Sequence, residues 1–136
     1  METTGQKCTK CGRGEPEVWF YSRATKYGKF FVREICNQCY AQQRQSQRVA
    51  FKKEFGPGRM ENMIPLVRPP EGTPCGCCGK PMIHSQGSNK MCFDHNPFTD
   101  TFRGWICKKC NTSIGGLGDS IEGVERTLKY LYETTN

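Results

Sequence analysis

Eight of the ten cysteines in this 136-residue chain fall into four pairs with the spacing Cys-x-x-Cys. Two such pairs some 25 to 30 residues apart are typical of a tetrahedral four-thiolate zinc site. The pairs are Cys8 and Cys11, Cys36 and Cys39, Cys75 and Cys78, and Cys107 and Cys110. The spacing therefore predicts two structural Zn2+ ions, one bound by the first two pairs and one by the last two.

Zinc would also supply stability that the rest of the chain lacks. Only 35% of the residues are hydrophobic, so a chain of this length cannot build a large core. The N-terminal residues lack the apolar run of a secretory signal, so we expect a reducing, cytoplasmic compartment in which cysteines bind metal. No apolar stretch has the length needed to cross a bilayer, and no membrane partner is expected.

Two cysteines and one loop histidine are left outside these pairs. Cys77 lies between Cys75 and Cys78 and could replace either as a ligand, although that pair keeps the two-residue spacing. We expect Cys92 to be a small buried apolar residue and His84 to be a solvated loop residue.

The first half of the chain predicts a zinc ribbon followed by a basic helix, over residues 1–55. Strand-prone runs at 18–21 and 29–32 predict a hairpin between the cysteine pairs. Residues 37–55 lack Gly and Pro and predict a helix, with Arg44, Arg48 and Lys52 at four-residue intervals along one face. Residues 1–55 hold eleven Lys and Arg against five Asp and Glu, within a chain of net charge +7. We expect the basic stripe of Arg44, Arg48 and Lys52 to bind the phosphate backbone of DNA.

The second half predicts a separate module. Residues 56–74, rich in Pro and Gly, predict a semi-extended linker, and residues 75–136 predict a hairpin followed by a helix that starts near Cys107. Asp119 and Glu122 are spaced as a capping box for a last helix. We expect the apolar face of that helix to pack on the core; its residues are Ile121, Val124, Leu128 and Leu131.

The segment from Asp94 to Asn111 carries two kinds of metal ligand. Asp94 and Asn111 offer hard oxygens suited to Mg2+ or Mn2+, whereas the cysteines offer soft thiolates suited to Zn2+. Asp94 adjoins His95, whose neutral imidazole could accept a proton from water. If the segment is strand-like, the side chains of Asp94 and His95 point to opposite faces.

The order Asp-His, then Arg103-Gly-Trp-Ile-Cys-x-x-Cys-Asn111, is similar to the recombination endonuclease VII family of HNH, or ββα-metal (His-Me finger), nucleases. The resemblance covers Cys75 to Tyr132 and implies a small α+β protein, with the N-terminal ribbon and helix joined to a ββα-metal module and a C-terminal helix. It implies a metal-dependent DNA endonuclease that hydrolyses phosphodiester bonds, with His95 as general base and a catalytic Mg2+ or Mn2+ on Asp94 and Asn111.

Further expectations come from the same resemblance. Arg103 would approach a phosphate, branched or recombination-intermediate DNA would be the substrate, and the enzyme would act as a homodimer. A phage or related element would be the source, which places the protein in the cytoplasm of the host cell. The chain departs from the family pattern at Asn96-Pro97, where a second Asp-His commonly follows.

A second hypothesis belongs to another functional class. A zinc-ribbon module can bind nucleic acid or a polymerase without catalysis, and the Asp-His site would then be inactive. Substitution of His95 distinguishes the two hypotheses, because only an enzyme has cleavage to lose.

Overall fold

Four helices and two antiparallel two-stranded sheets make up the described part of this computed structural model, residues 5–24, 26–28 and 30–135. The chain divides into two units, Met1–Ser46 and Gln47–Asn136. In chain order the elements are β1 (Ser22–Ala24), β2 (Phe30–Val32), α1 (Asn37–Phe55), α2 (Met60–Val67), β3 (Met91–Asn96), β4 (Thr101–Cys107), α3 (Lys108–Gly116) and α4 (Ile121–Thr134).

The first unit contains the hairpin that the sequence predicts, but its first strand begins later than expected. Val18 is fully buried against the cysteines, and its N–H donates to the Gly14 carbonyl, so this segment turns instead of extending. β1 therefore starts at Ser22 and pairs with β2. Lys29, which the predicted second strand includes, lies outside the described residues.

Helix α1 covers the predicted residues 37–55. The three residues of the basic stripe, Arg44, Arg48 and Lys52, are exposed on it. In the second unit, Ala50 and Phe51 of α1 are buried against Phe93 of β3. The bounds of α1 agree with those predicted from the run without Gly or Pro.

A helix occupies the predicted linker. α2 covers Met60–Val67 and includes Pro65, which lacks the N–H that an interior helical position normally donates. Four apolar residues of α2 pack against the cluster around Phe93: Met60, Met63, Ile64 and Val67. Their spacing of three, four and seven residues places them on one face, and this burial outweighs the loss of one hydrogen bond. The expectation of a semi-extended segment is wrong for these eight residues.

The β3–β4 hairpin and α3 form the ββα arrangement that the sequence predicts. Met91 pairs with Cys107 and Asp94 with Gly104, but His95 pairs with Phe102, so a β-bulge leaves Arg103 without a partner in the ladder. α3 begins at Lys108, directly after β4, and lies against both strands. Cys107 is the N-cap of α3, and its sulfur accepts the N–H of Cys110.

Helix α4 differs from the prediction in its cap and in its packing. Ser120, not Asp119, is the N-cap and accepts the N–H of Gly123. The apolar face predicted to pack on the core is exposed in the described residues; its members are Ile121, Val124, Leu128 and Leu131. Gly123 alone is buried, against the Leu117 carbonyl that follows α3. No helix in the described ranges has the length and apolarity to cross a bilayer.

Candidate active site and metal centres

The first cysteine group of the prediction is gathered in the first unit. The sulfurs of Cys8, Cys11, Cys36 and Cys39 lie within 4.8 Å of one another, and those of Cys11 and Cys36 are 3.9 Å apart. Tetrahedral zinc with Zn–S bonds of about 2.3 Å separates its sulfurs by about 3.8 Å. The group therefore fits zinc in both number and spacing.

The second group, in the second unit, has the same geometry. Cys75, Cys78, Cys107 and Cys110 bring their sulfurs within 4.8 Å, with 3.9 Å between Cys78 and Cys107. Cys77 does not belong to this group, and its N–H donates to the Cys75 sulfur at 3.3 Å. The geometry thus favours Cys75 and Cys78, the pair that keeps the two-residue spacing.

Backbone amides prepare one sulfur of each group for metal. Burial alone would raise the pKa of Cys75, but N–H groups of Cys107, Cys78 and Cys77 donate to its sulfur and the net pKa falls to about 6. The amides of Cys36, Cys11 and Lys10 likewise outweigh burial at Cys8, whose pKa also falls to about 6. A thiolate at neutral pH is the form that binds metal.

Strand β3 carries Asp94 and His95 side by side, at the bulge. The imidazole of His95 lies nearly parallel to the Phe93 ring, with centroids 6.3 Å apart. Its Nε2 is buried and has no hydrogen-bond partner among the described residues. Burial lowers the pKa of His95 below its usual 6.5, while Asp94 and Asp119 act in the opposite direction. A neutral imidazole in this setting can accept a proton.

The carboxylate of Asp94 is buried and bound to Arg103. Nε and Nη2 of Arg103 donate to the two carboxylate oxygens of Asp94, each at 2.9 Å. Nη2 also donates to Oδ1 of Asp119 at 2.6 Å. These bonds, first that to Asp94, raise the pKa of Arg103. Arg103, expected at a phosphate, thus bridges two carboxylates beside His95.

Asn111 lies on α3, the helix that follows β4. It lies in the first turns of α3, next to Cys110, and is half-buried. Because α3 lies against β3, the element that carries Asn111 adjoins the strand that carries Asp94 and His95. Carboxylate and amide oxygens are ligands that suit Mg2+ or Mn2+. The chemistry of this donor set therefore fits a hard divalent ion.

A groove of about 690 Å³ opens beside Arg103, lined also by Phe98, Ile114, Asp119 and Val124 among others. Asp119 bonds to Arg103 at this groove, although its spacing from Glu122 predicts only a helix cap. In the sequence, Asp119 is marked only by its position directly after the glycines Gly115, Gly116 and Gly118.

Two further residues have structural contacts. His84 was expected in solvent, but its Nε2 lies 2.9 Å from the Pro69 carbonyl and its N–H donates to Glu71, so it fastens its loop. Asn96, at the position of a family Asp, accepts the N–H of Phe98 and shapes the β3–β4 turn.

Comparisons with known proteins identify a family and a similar fold. The family model described as recombination endonuclease VII matches residues 49–133. Among solved structures, the ββα-Me type II restriction endonuclease Hpy99I is similar, with a TM-score of 0.60 and 23% sequence identity, over 96% of this chain and 68% of that one. At this identity the likeness concerns the fold. No curated protein sequence gives a significant match.

Proposed function

Because this chain belongs to the recombination endonuclease VII family of metal-dependent nucleases, we propose that it is an HNH-type DNA endonuclease in which His95 is the general base. The observation that supports this role most directly is the buried Nε2 of His95, which lacks a hydrogen-bond partner in the described part of the chain. An acceptor nitrogen without a partner is free to take a proton once the attacking water reaches it.

The proposed reaction is hydrolysis of a phosphodiester. His95 takes a proton from the attacking water as the water oxygen bonds to phosphorus. The bond from phosphorus to the 3′ oxygen breaks, the 3′ oxygen keeps the electron pair and takes a proton from solvent, and the products are a 5′-phosphate and a 3′-hydroxyl. Bound by Asp94 and Asn111, Mg2+ or Mn2+ would supply charge neutralisation at the phosphoryl oxygens. The aromatic residues packed around Phe93 hold the strand and so keep the imidazole in place.

The cysteine groups hold structural Zn2+ in this proposal. The second group joins the segment at Cys75 to the end of β4 and the start of α3, so it fixes the strand paired with His95 and the helix that bears Asn111. The exposed stripe of Arg44, Arg48 and Lys52 would neutralise DNA phosphates.

The form of the DNA and the assembly of the enzyme are part of the same proposal. Branched or recombination-intermediate DNA follows from the family to which the chain belongs. We propose a homodimer, because a cut through two strands needs two sites and one chain supplies one Asp94-His95 pair.

The test is cleavage by the zinc-loaded chain of supercoiled plasmid and of a labelled four-way junction, with and without Mg2+ or Mn2+. We expect metal-dependent cutting that His95→Gln reduces by about 10²- to 10⁴-fold. His84→Gln is the matched control, since it alters the other histidine of the chain, and it should keep the wild-type rate.

Two outcomes would contradict the proposal in different ways. Cutting by His95→Gln at the wild-type rate would remove His95 from the base role. Intact DNA under every condition, together with a retarded band on a gel, would favour the alternative, a non-catalytic zinc-ribbon module that binds nucleic acid. Sedimentation of the protein with and without junction DNA tests the homodimer.

A further inference from the structure

The guanidinium of Arg103 lies between two carboxylates of unequal exposure. The side chain of Asp94 is 8% exposed and that of Asp119 is 28% exposed. Arg103 uses two of its N–H groups on Asp94 and a further one on Asp119. Both oxygens of the buried carboxylate thus face one cation that belongs to the chain.

In this arrangement Arg103 competes with any divalent ion that binds Asp94. The ion and the guanidinium carry the same sign of charge and need the same two oxygens, so binding of one weakens binding of the other. Arg103 cannot lose its charge. When an ion displaces the guanidinium from an oxygen of Asp94, the guanidinium needs another acceptor. Nη2 of Arg103 already donates to such an acceptor, the carboxylate of Asp119.

The backbone holds Asp119 where it can serve as that partner. Asp119 has a left-handed φ of +58°, which a residue other than glycine adopts only at some cost. Its N–H donates to the Ile114 carbonyl of α3. The Ser120 cap and the close approach of Gly123 to Leu117 fix the next residues to the end of the same helix. The position of Asp119 is therefore set by α3, the helix that carries Asn111.

From this geometry we infer that Asp119 is a positioning residue. It binds the guanidinium of Arg103 when a divalent ion displaces that group from Asp94, and in this way Asp119 raises the affinity of Asp94 for the ion. The inference rests on the proposed role of Asp94 as a metal ligand. It makes Arg103 a side chain with two arrangements, held by both carboxylates before the ion binds and by Asp119 afterwards. The second arrangement keeps its positive charge beside the reacting phosphate.

The test is a double-mutant cycle on Mn2+ affinity, measured without DNA by electron paramagnetic resonance of free Mn2+ with the full zinc-loaded chain. We expect Asp119→Asn to weaken Mn2+ binding by at least about fivefold. Arg103→Met should strengthen binding, because it frees the carboxylate of Asp94. In the Arg103→Met background, Asp119→Asn should then change the affinity by less than about twofold.

Three controls make the cycle specific. Asp94→Asn should abolish the binding that is measured, which locates the ion. Glu122→Gln removes an equal charge on the first turn of α4, three residues from Asp119, and should leave the affinity unchanged. Two Zn2+ per chain and a single cooperative melting transition above the assay temperature show that each variant is folded.

Two results would overturn the inference. An equal loss of affinity from Asp119→Asn in both backgrounds would show that Asp119 acts directly on the ion and not through Arg103. No loss in the native background, or no Mn2+ binding that depends on Asp94, would remove its role altogether.

DNA cleavage by the same proteins separates this inference from the proposed function. A native chain that cuts DNA while Asp119→Asn binds Mn2+ normally would refute the inference alone. Coupling in the cycle without cleavage by any protein would refute the proposed function alone.

Discussion

Replacement of Phe51 by alanine tests whether the aromatic cluster of the second unit holds β3, and with it His95, in place. Phe51 on α1 is 1% exposed. Its ring centroid lies 4.9 Å from that of Phe55 and 5.2 Å from that of Phe93, in an edge-on contact with the latter. Phe93 in turn precedes Asp94 in β3 and stacks with His95. A cavity at Phe51 would therefore open behind the strand that carries His95.

The expected loss is large because the ring is wholly enclosed. Truncation of a buried Phe to Ala costs about 3–5 kcal/mol. With a denaturant slope of about 1.5 kcal/mol/M, the urea midpoint of this unit should fall by roughly 2–3 M. The loss should also slow DNA cleavage at temperatures where the native chain is stable, since His95 would lose its fixed position.

The assay is urea unfolding at a fixed free Zn2+ concentration. A Trp19→Phe background leaves Trp105, which lies 6.0 Å from Phe93 between ring centroids, as the single tryptophan reporter of the second unit. Phe98→Ala is the matched control, because Phe98 is 73% exposed and its truncation should cost less than about 0.5 kcal/mol. A midpoint for Phe51→Ala equal to that of Phe98→Ala would refute the assigned role of the cluster.

Two further predictions concern the second metal group and the junction of α3 with α4. Cys78→Ser should lower the zinc content of the chain from two ions to one by atomic emission, whereas Cys77→Ser should retain two, and the reverse result would exchange their roles. Gly123→Ala would place a Cβ against the Leu117 carbonyl and should destabilise the unit by about 1–3 kcal/mol. Gly116→Ala meets no atom within 4 Å and should leave the melting temperature equal or higher; similar effects of the two changes would contradict this packing.

The features that sequence predicted best are those governed by local spacing. Four Cys-x-x-Cys pairs identify both sulfur groups, because the two residues within a pair largely determine where its sulfurs can meet. A run without Gly or Pro gave the helix over 37–55, and the order of motifs indicated the α+β fold and the family.

The features that sequence did not predict depend on contacts between distant segments. Pro65 suggested a linker, but the apolar face of α2 has a cluster to pack against, and tertiary burial prevails over local propensity. The face of α4 was expected in the core because periodicity reports that a helix is amphipathic, not what covers it. The ion pair of Arg103 with Asp94 and Asp119 joins β4, β3 and the turn between α3 and α4, and no spacing encodes it.

The bulge in the β3–β4 hairpin determines which changes in chain length this unit tolerates. Six residue pairs form the ladder, and every residue of β4 except Arg103 belongs to one of them. Deletion of Arg103 would leave all six pairs with their present partners, whereas deletion of any other residue of β4 would break a pair. A homologue with a one-residue gap at this position would thus retain the hairpin scaffold without the guanidinium. Such a gap in an alignment would indicate a chain without the proposed competition between Arg103 and a divalent ion for Asp94.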